Sequence, residues 1–208
     1  MMKRLVIFAL LAGCNEYSVF TDTREEFIFD TFVVEGVKTD ILFYGDTSHS
    51  MERELLTLGD SVRNFVDRLD ASQNAWQIIA VTGPDGCGQG GILTPETQDF
   101  QEVFAQGIKT EPAEDSVDEW GLFNVFKASL ESAPGGCNEG FIRQDASLHV
   151  IFLSDEDDNS PGYERENYWR DYVDPVLYIK DDPQLVRFSA IAGPVPNGCD
   201  GADPGYGY

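Results

Sequence analysis

The stretch Thr39-Asp-Ile-Leu-Phe-Tyr-Gly-Asp-Thr-Ser-His-Ser-Met51 decides the fold expected for this chain of 208 residues. It begins with a short apolar run, residues 40–44, and ends in alternating oxygen donors, Asp46, Ser48 and Ser50. A short apolar run bounded by polar residues predicts a buried strand, and the polar residues then form the loop that leaves it. On such a loop a carboxylate and two hydroxyls can turn inward together and hold a metal ion.

These three side chains suit a hard divalent cation. Mg²⁺ and Ca²⁺ take oxygen ligands, and Mg²⁺ commonly keeps several waters and open positions. Because the two serine hydroxyls are neutral, they leave the ion most of its positive charge, so a carboxylate from a partner becomes a strong ligand. The pattern therefore predicts a recognition site for Mg²⁺, with Ca²⁺ or Mn²⁺ as alternatives.

The pattern Asp46-x-Ser48-x-Ser50, between an apolar strand and Met-Glu-Arg-Glu-Leu-Leu, resembles the metal-ion-dependent adhesion site of the von Willebrand factor A domain. The resemblance covers roughly residues 37–196 and implies a domain that binds rather than catalyses. It also places Asp155 where the family has an aspartate that reaches the metal through water. Glu156 stands here in place of the glycine that usually follows that aspartate.

The third metal-binding element of the family is a threonine in a loop before a helix. Ser116 is the best match in this chain, and Thr110 is the alternative. Serine offers the same hydroxyl as threonine, so the chemistry is retained. His49 lies where the family has glycine. We expect it at the rim of the site, because imidazole binds softer metals than Mg²⁺ and is an unusual ligand beside hard oxygen donors.

Four continuous apolar runs alternate with amphipathic patterns along the chain. Continuous runs are typical of strands covered on both faces, and apolar residues at helical spacing predict helices between them. This alternation predicts a doubly wound α/β fold, with a mostly parallel central sheet and helices on both faces. The predicted strands are residues 40–44, 76–82, 148–154 and 186–192, and the predicted helices are residues 51–70, 97–107, 117–131 and 164–173.

Two oxygen-rich loops are expected to meet at one edge of this sheet. In open α/β sheets, ligands bind outside the carboxyl ends of the strands, where the strand order reverses. The loop 46–50 follows the first predicted strand, and the acidic run 154–158 follows the third. We therefore expect the metal to be held by Asp46, Ser48, Ser50, Ser116 and Asp155.

The acidic loop carries a second hypothesis. Asp155-x-Asp157-x-Asn159, with Glu166 at the twelfth position, matches part of the calcium-loop spacing of the EF-hand. The sixth place lacks the glycine of that loop, and the preceding element is a predicted strand instead of a helix. Asp157, Asn159 and Glu166 thus form a candidate second calcium site; otherwise Asp157 and Asp158 are expected to be solvated.

Residues 1–13 have the pattern of a secretory signal. Lys3 and Arg4 precede an apolar segment that is too short to span a bilayer. Leu11-Ala12-Gly13-Cys14 resembles the lipobox of bacterial lipoproteins, which implies lipidation of Cys14 and, in Gram-negative bacteria, sorting to the outer membrane or cell surface. The alternative is an ordinary signal peptide with a coincidental cysteine.

One domain is expected after the signal, since the chain length suits a single core. Residues 14–38 are predicted to form a tether, with 27–34 as a candidate edge strand, and residues 39–208 the von Willebrand A domain. The end of the chain shows no closing helix or strand, whereas family members usually continue with a last helix. Either the domain is trimmed or the sequence is a fragment.

Acidic residues outnumber basic residues by 37 to 14, which gives a net charge of -23. Such a surface repels nucleic acid and anionic lipid. We therefore expect no nucleic-acid partner, and contact with a membrane only through the lipid anchor. The same charge attracts divalent cations.

The cysteines fit an oxidising compartment. Cys87 lies in the glycine-rich segment 83–91, a predicted surface turn, and Cys137 lies in another glycine-rich loop. We predict a disulfide between these two, with Cys199 left unpaired.

These patterns predict a lipid-anchored extracytoplasmic module that uses a divalent cation to capture an Asp or Glu of a protein partner, in adhesion or envelope assembly. The alternative is a structural envelope lipoprotein whose metal site is stabilising or vestigial. A hydrolase is the weaker hypothesis, because His49 shares its loop with the candidate serines and His149 is expected to be a hydrogen-bonded core residue. We therefore expect a protein that is not an enzyme.

Overall fold

Five strands and four α-helices form the part of the chain that the computed structural model describes, residues 37–71, 74–108, 120–199 and 202–208. Two short 3-10 turns, His49–Met51 and Pro183–Leu185, precede α1 and β5. The strands are β1 (Lys38–Gly45), β2 (Ala75–Val81), β3 (Gln89–Leu93), β4 (Ser147–Leu153) and β5 (Val186–Ile191), and the helices are α1 (Glu52–Ala71), α2 (Phe100–Ile108), α3 (Gly121–Leu130) and α4 (Arg170–Leu177).

The strands form one sheet in the order β3-β2-β1-β4-β5. β1, β2, β4 and β5 are parallel, and β3 is antiparallel to β2. The chain leaves the central β1 toward one side through β2 and β3, and then builds β4 and β5 on the other side. The strand order therefore reverses between β1 and β4, and this arrangement confirms the prediction of an α/β fold with a mostly parallel sheet.

Two separate hydrophobic cores cover the two faces of the sheet. Ile41 and Phe43 of β1 pack in the core that contains α1 and α2, whereas Leu42 and Tyr44 pack in the core that contains α3 and α4. Successive side chains of a strand point to opposite faces, so a strand buried on both faces must be apolar at every position. This requirement explains the continuous apolar run in β1, where each fully buried side chain contributes about 1.5–3 kcal/mol.

The edge strand β3 was absent from the sequence prediction. Gln89, Gly90 and Gly91, predicted to belong to a surface turn, form its first three residues. Gly90 and Gly91 have φ values of 82° and 76°, a backbone region that favours glycine. Because glycines contribute no side chains to an alternating or continuous apolar pattern, the strand left no signal.

The predicted helix over residues 164–173 is wrong in its position, since α4 begins only at Arg170. Asn167 has a φ of 60°, a left-handed conformation that a right-handed helix does not accommodate. The aromatic residues whose spacing suggested a helix over 164–173 make contacts with other parts of the chain. Tyr168 donates a hydrogen bond to Asp158, and Tyr172 packs edge-on against Phe123.

His149 is a half-buried residue, which corrects the prediction that it belongs to the core. On β4, Leu148 and Val150 are buried against α3 and α4, while His149 points to the opposite, more open face. Its Nε2 lies 2.9 Å from the Oγ of Ser189 on β5, so the expected hydrogen bond is present. Burial lowers the pKa of His149, and the positive charge of Arg187 lowers it further.

A buried ion cluster ties the amino end of β1 to two loops. The Asp40 carboxylate has no exposed surface; it accepts hydrogen bonds from Arg143 Nε at 2.7 Å, from the Arg143 backbone N–H at 2.7 Å and from Lys180 Nζ at 3.2 Å. Burial lowers the pKa of Lys180, and the charge of Asp40 opposes this effect. The loops after α3 and α4 are thereby fixed to the central strand.

Cys87 and Cys137 form the predicted disulfide. It joins the segment after β2 to the segment after α3, where Asn138 accepts a hydrogen bond from Gly88 N–H and donates one to Gly86 C=O. Cys199 is a free and exposed thiol.

The predicted signal peptide, the lipidation site Cys14 and the candidate edge strand over 27–34 lie outside the described residues. None of the helices in the described part of the chain combines the length and the apolar character of a transmembrane span.

We expect Asp40→Asn to lower the free energy of unfolding by about 3–5 kcal/mol, because it leaves Lys180 and Arg143 without their buried counter-charge. Urea denaturation measures this change. As a control, Asp171→Asn breaks the exposed pair with Arg165 and should cost no more than about 1 kcal/mol. Equal effects of the two substitutions would contradict a special role for the buried cluster.

We expect replacement of both Cys87 and Cys137 by serine to lower the free energy of unfolding by about 2–5 kcal/mol, because the disulfide closes a loop with a sequence separation of 50 and restricts the unfolded chain. Thermal unfolding without reductant measures the loss. Cys199→Ser is the matched control and should leave the melting temperature unchanged.

Candidate metal site

Asp46 lies at the carboxyl end of β1 and links that strand to β4. Its backbone N–H donates to Leu153 C=O at 3.0 Å, and its carboxylate accepts hydrogen bonds from Ser154 Oγ at 2.7 Å and from Ser48 N–H at 2.8 Å. Only 3% of Asp46 is exposed. The two hydrogen bonds to the carboxylate and the backbone bond to Leu153 leave Asp46 little freedom to move, so its position is set by the strand pairing.

Ser48 and Ser50 present their hydroxyls side by side, with 3.0 Å between the two Oγ atoms. The 3-10 turn over His49–Met51 arranges them, and Met51 anchors the turn by burying its side chain and by donating its N–H to Ser48 C=O. His49 is exposed on this turn. Gly45 lets the loop pass close to α2, since a Cβ there would lie 2.8 Å from Ile108 Cδ1.

Asp155 follows β4 and lies beside the residues that follow β1. Burial raises the pKa of its carboxyl group, a hydrogen bond from Ser50 opposes the rise, and the negative charges of Asp46 and Glu54 add to it. Its Oδ1 atom is buried and has no hydrogen-bond partner. Asp46, Ser48, Ser50 and Asp155 therefore come together at one edge of the sheet.

This arrangement fits a hard divalent cation. A buried carboxylate oxygen without a partner costs free energy, and a second carboxylate close by adds repulsion. A cation bound between Asp46 and Asp155 would give Asp155 Oδ1 a partner and would offset the repulsion between the two carboxylates. All the donors here are oxygens, which are the ligands that Mg²⁺ and Ca²⁺ take.

Ser116, the predicted third donor, and its alternative Thr110 lie in the segment 109–119, outside the described residues. The described chain resumes at Trp120, directly before α3.

The candidate calcium loop has two residues whose surroundings bear on its geometry, Asp157 and Glu166. One Asp157 oxygen, Oδ1, accepts hydrogen bonds from Asp158 N–H and Gly207 N–H, and Glu166 is exposed among turns. Across the described residues, no three or more His, Cys, Asp or Glu side chains cluster around a point that could hold a metal. The second calcium site at Asp157, Asn159 and Glu166 stays a prediction.

Asp158 is buried, which corrects the expectation of a solvated charge. Only 2% of it is exposed, and its carboxylate accepts hydrogen bonds from Leu122, Ser160 and Tyr168. Sequence reasoning also missed Ser154, which hydrogen-bonds Asp46. Its place directly before Asp155, at the end of a predicted strand, was the available signal.

The pair His149 and Ser189 brings a histidine within hydrogen-bonding distance of a serine, as a hydrolase would require. A catalytic base must accept a proton and become a cation. Arg187 lies close enough to lower the pKa of His149, so its positive charge disfavours that cation. Burial, the larger of the two causes, disfavours the cation as well, and a hydrolase stays the weaker hypothesis.

No family model and no curated protein matches this chain. A structural comparison finds the proximal thread matrix protein 1 from the mussel byssus, at 16% identity and a TM-score of 0.42, over 74% of this chain. This chain spans 38% of the length of that mussel protein.

We expect Asp155→Asn to raise the melting temperature of the metal-free protein by a few degrees, because the amide removes a charge that burial, Asp46 and Glu54 all disfavour. Differential scanning calorimetry in a chelator measures this change. Asp67→Asn, on the exposed side of α1, is the control and should leave the melting temperature unchanged. A lower melting temperature for Asp155→Asn would show that the carboxylate contributes to stability without metal.

Proposed function

We propose that this chain is a von Willebrand A-type binding module that uses a divalent cation, held at the edge formed by β1 and β4, to capture a carboxylate of a protein partner. One observation carries the proposal. Asp46, Ser48 and Ser50 lie about a hundred residues away from Asp155 in the sequence, yet the two loops meet, and Asp155 presents a buried oxygen without a partner.

The topology supports a binding site at this place. Strand order reverses between β1 and β4, and the helices that follow the two strands, α1 and α4, pack on opposite faces of the sheet. In open α/β sheets this is the place where ligands bind, outside the carboxyl ends of the strands. Both predicted loops leave the sheet there, since Gly45 pairs with Leu153 at the ends of the two strands. A site at this edge is held by the central strand and its neighbour.

Asp46, Ser48, Ser50 and Asp155 would hold the cation, with Ser116 as a predicted further donor. When bound, the cation supplies a positive centre that can accept a carboxylate oxygen from another molecule. Ser48 and Ser50 contribute no charge, and Asp46 and Asp155 are expected to reach the ion through water. No carboxylate of the protein is then bound directly to the ion, so a carboxylate of the partner is a strong ligand for it. His49, exposed beside the serines, lies where an incoming ligand would pass.

The location proposed for this module is extracytoplasmic, with a lipid anchor on Cys14. The disulfide Cys87–Cys137 supports export, because structural disulfides form in oxidising compartments. The lipobox-like stretch before Cys14 supports the anchor, and the strong negative charge supports contact with the membrane through that anchor rather than through the domain surface.

A structural protein with a stabilising metal is the second candidate. The observation that favours it is the same orphaned oxygen of Asp155 beside Asp46, because a cation would relieve this cost in the absence of any partner. The two candidates differ in one respect only: a structural cation raises stability, and no partner depends on it.

The site itself is tested by calorimetric titration of Mg²⁺, Ca²⁺ and Mn²⁺ into the protein that begins after Cys14. We expect one site in the wild type and its loss in Asp46→Ala and Ser48→Ala, because both remove oxygens of the cradle. Glu166→Gln is the matched control and should bind as the wild type does. Binding lost only in Glu166→Gln would instead support the calcium loop, and no binding by the folded wild type would refute the metal site.

Capture of a carboxylate is tested with a library of immobilised peptides, half of which carry Asp or Glu and half the corresponding amides. We expect retention of acidic peptides in Mg²⁺ or Mn²⁺, and loss of retention in chelator or with Asp46→Ala. Equal retention of acidic and amide peptides, or metal-dependent stability without any retention, would favour the structural candidate.

A further inference from the structure

Asp158 is a buried carboxylate with four hydrogen-bond donors around it. Oδ1 accepts from Leu122 N–H and Ser160 Oγ, both at 2.9 Å, and Oδ2 accepts from Ser160 N–H and Tyr168 Oη, both at 3.0 Å. Burial raises its pKa, and these hydrogen bonds oppose the rise. These four hydrogen bonds hold the carboxylate in one position, and the carboxylate in turn restricts the position of the Asp158 backbone.

Two of these contacts cap α3 from another part of the chain. The first N–H groups of a helix have no acceptor within the helix, and the residue before α3, Trp120, makes no side-chain cap. Asp158 takes the N–H of Leu122, and Ser160 Oγ takes the N–H of Phe123 at 2.9 Å. The negative charge of Asp158 also suits the positive end of the helix dipole.

The same contacts fix the loop that carries Asp155. This loop leaves β4 after Leu153 and reaches Asp158 only five residues later, so its two ends are held by the sheet and by α3. Asp157 ties the loop to a distant segment, since its Oδ1 accepts a hydrogen bond from Gly207 N–H at 2.6 Å. Asp203 N–H donates to Asp155 C=O at 2.7 Å. A short loop between two fixed ends has few alternative paths.

We propose that Asp158 is a positioning residue of the candidate metal site: by fixing the loop 154–158 against the start of α3, it holds Asp155 beside Ser50 and Asp46. The inference rests on the proposed metal site and adds a residue to it. Asp158 does not contact the metal in this role. It resembles the supporting residues of other metal sites, which orient the ligands through hydrogen bonds.

Asp158→Asn tests the proposal. The amide keeps the shape of the side chain, but its NH₂ group would face donors, above all Ser160 N–H, so the loop must rearrange. The readout is the affinity for Mn²⁺ by calorimetric titration at a temperature at which each variant is fully folded. We expect the affinity to fall on the order of tenfold, as for supporting residues of other metal sites.

Asp40→Asn is the matched control, because Asp40 is also a buried carboxylate with several donors, at the opposite end of the strand that carries Asp46. We expect it to lower the melting temperature and to leave the Mn²⁺ affinity unchanged. Tyr168→Phe is the milder variant should Asp158→Asn fail to fold. It removes one donor to Asp158 and should lower the affinity in the same direction but by less.

The outcomes separate this proposal from the one on which it rests. If the wild type binds Mn²⁺ and the folded Asp158→Asn and Tyr168→Phe variants bind it equally well, the positioning role is refuted and the metal site stands. If Asp40→Asn loses as much affinity as Asp158→Asn, the effect is general destabilisation and the positioning role is refuted as well. If the wild type binds no metal, both proposals fail.

Discussion

The parallel pairing of β1 with β4 is the constraint on which the candidate site depends. These strands are far apart in sequence, and their register places Gly45 opposite Leu153, so the residues that follow them emerge side by side. Asp46 reinforces the pairing by binding Leu153 through its N–H and Ser154 through its carboxylate. A shift of register by one residue would turn every side chain of β4 to the other face of the sheet and would separate the two loops.

The two ends of β1 use buried carboxylates in opposite ways. At the amino end, Asp40 is paired with Arg143 and Lys180, so its charge is neutralised within the protein. At the carboxyl end, Asp46 and Asp155 lie close together, and Asp155 keeps an oxygen without a partner. A buried charge without a partner lowers the stability of the fold, and groups in such unfavourable surroundings cluster at functional sites. The charge of Asp40 is compensated at the amino end of β1, whereas the charges of Asp46 and Asp155 are not compensated at the carboxyl end. This difference is the physical reason to place the candidate site at the carboxyl end of β1.

The acidic loop after β4 shows how neighbouring carboxylates differ in their environments. Asp155 is directed toward the candidate site, Asp157 accepts hydrogen bonds from the backbone of Gly207, and Asp158 caps α3. In the sequence these residues form one acidic run, which is ordinarily a solvated loop. Their burial and hydrogen bonds depend on α3 and on the segment 202–208, neither of which is adjacent in sequence.

The sequence alone determined the features that arise from local pattern. Continuous apolar runs were enough to predict the four parallel strands, and the spacing in α1 was enough to predict that helix. The strand-loop context pointed to Asp46, Ser48, Ser50 and Asp155 as candidate residues, which stay a prediction as metal ligands. Sequence reasoning failed where the cause is not local. β3 contains two glycines that carry no pattern, Asn167 stops a helix that aromatic spacing suggested, and Asp40 and Asp158 acquire partners more than thirty residues away. Only the tertiary structure decided these, because burial and pairing depend on contacts between distant segments, which periodicity does not encode.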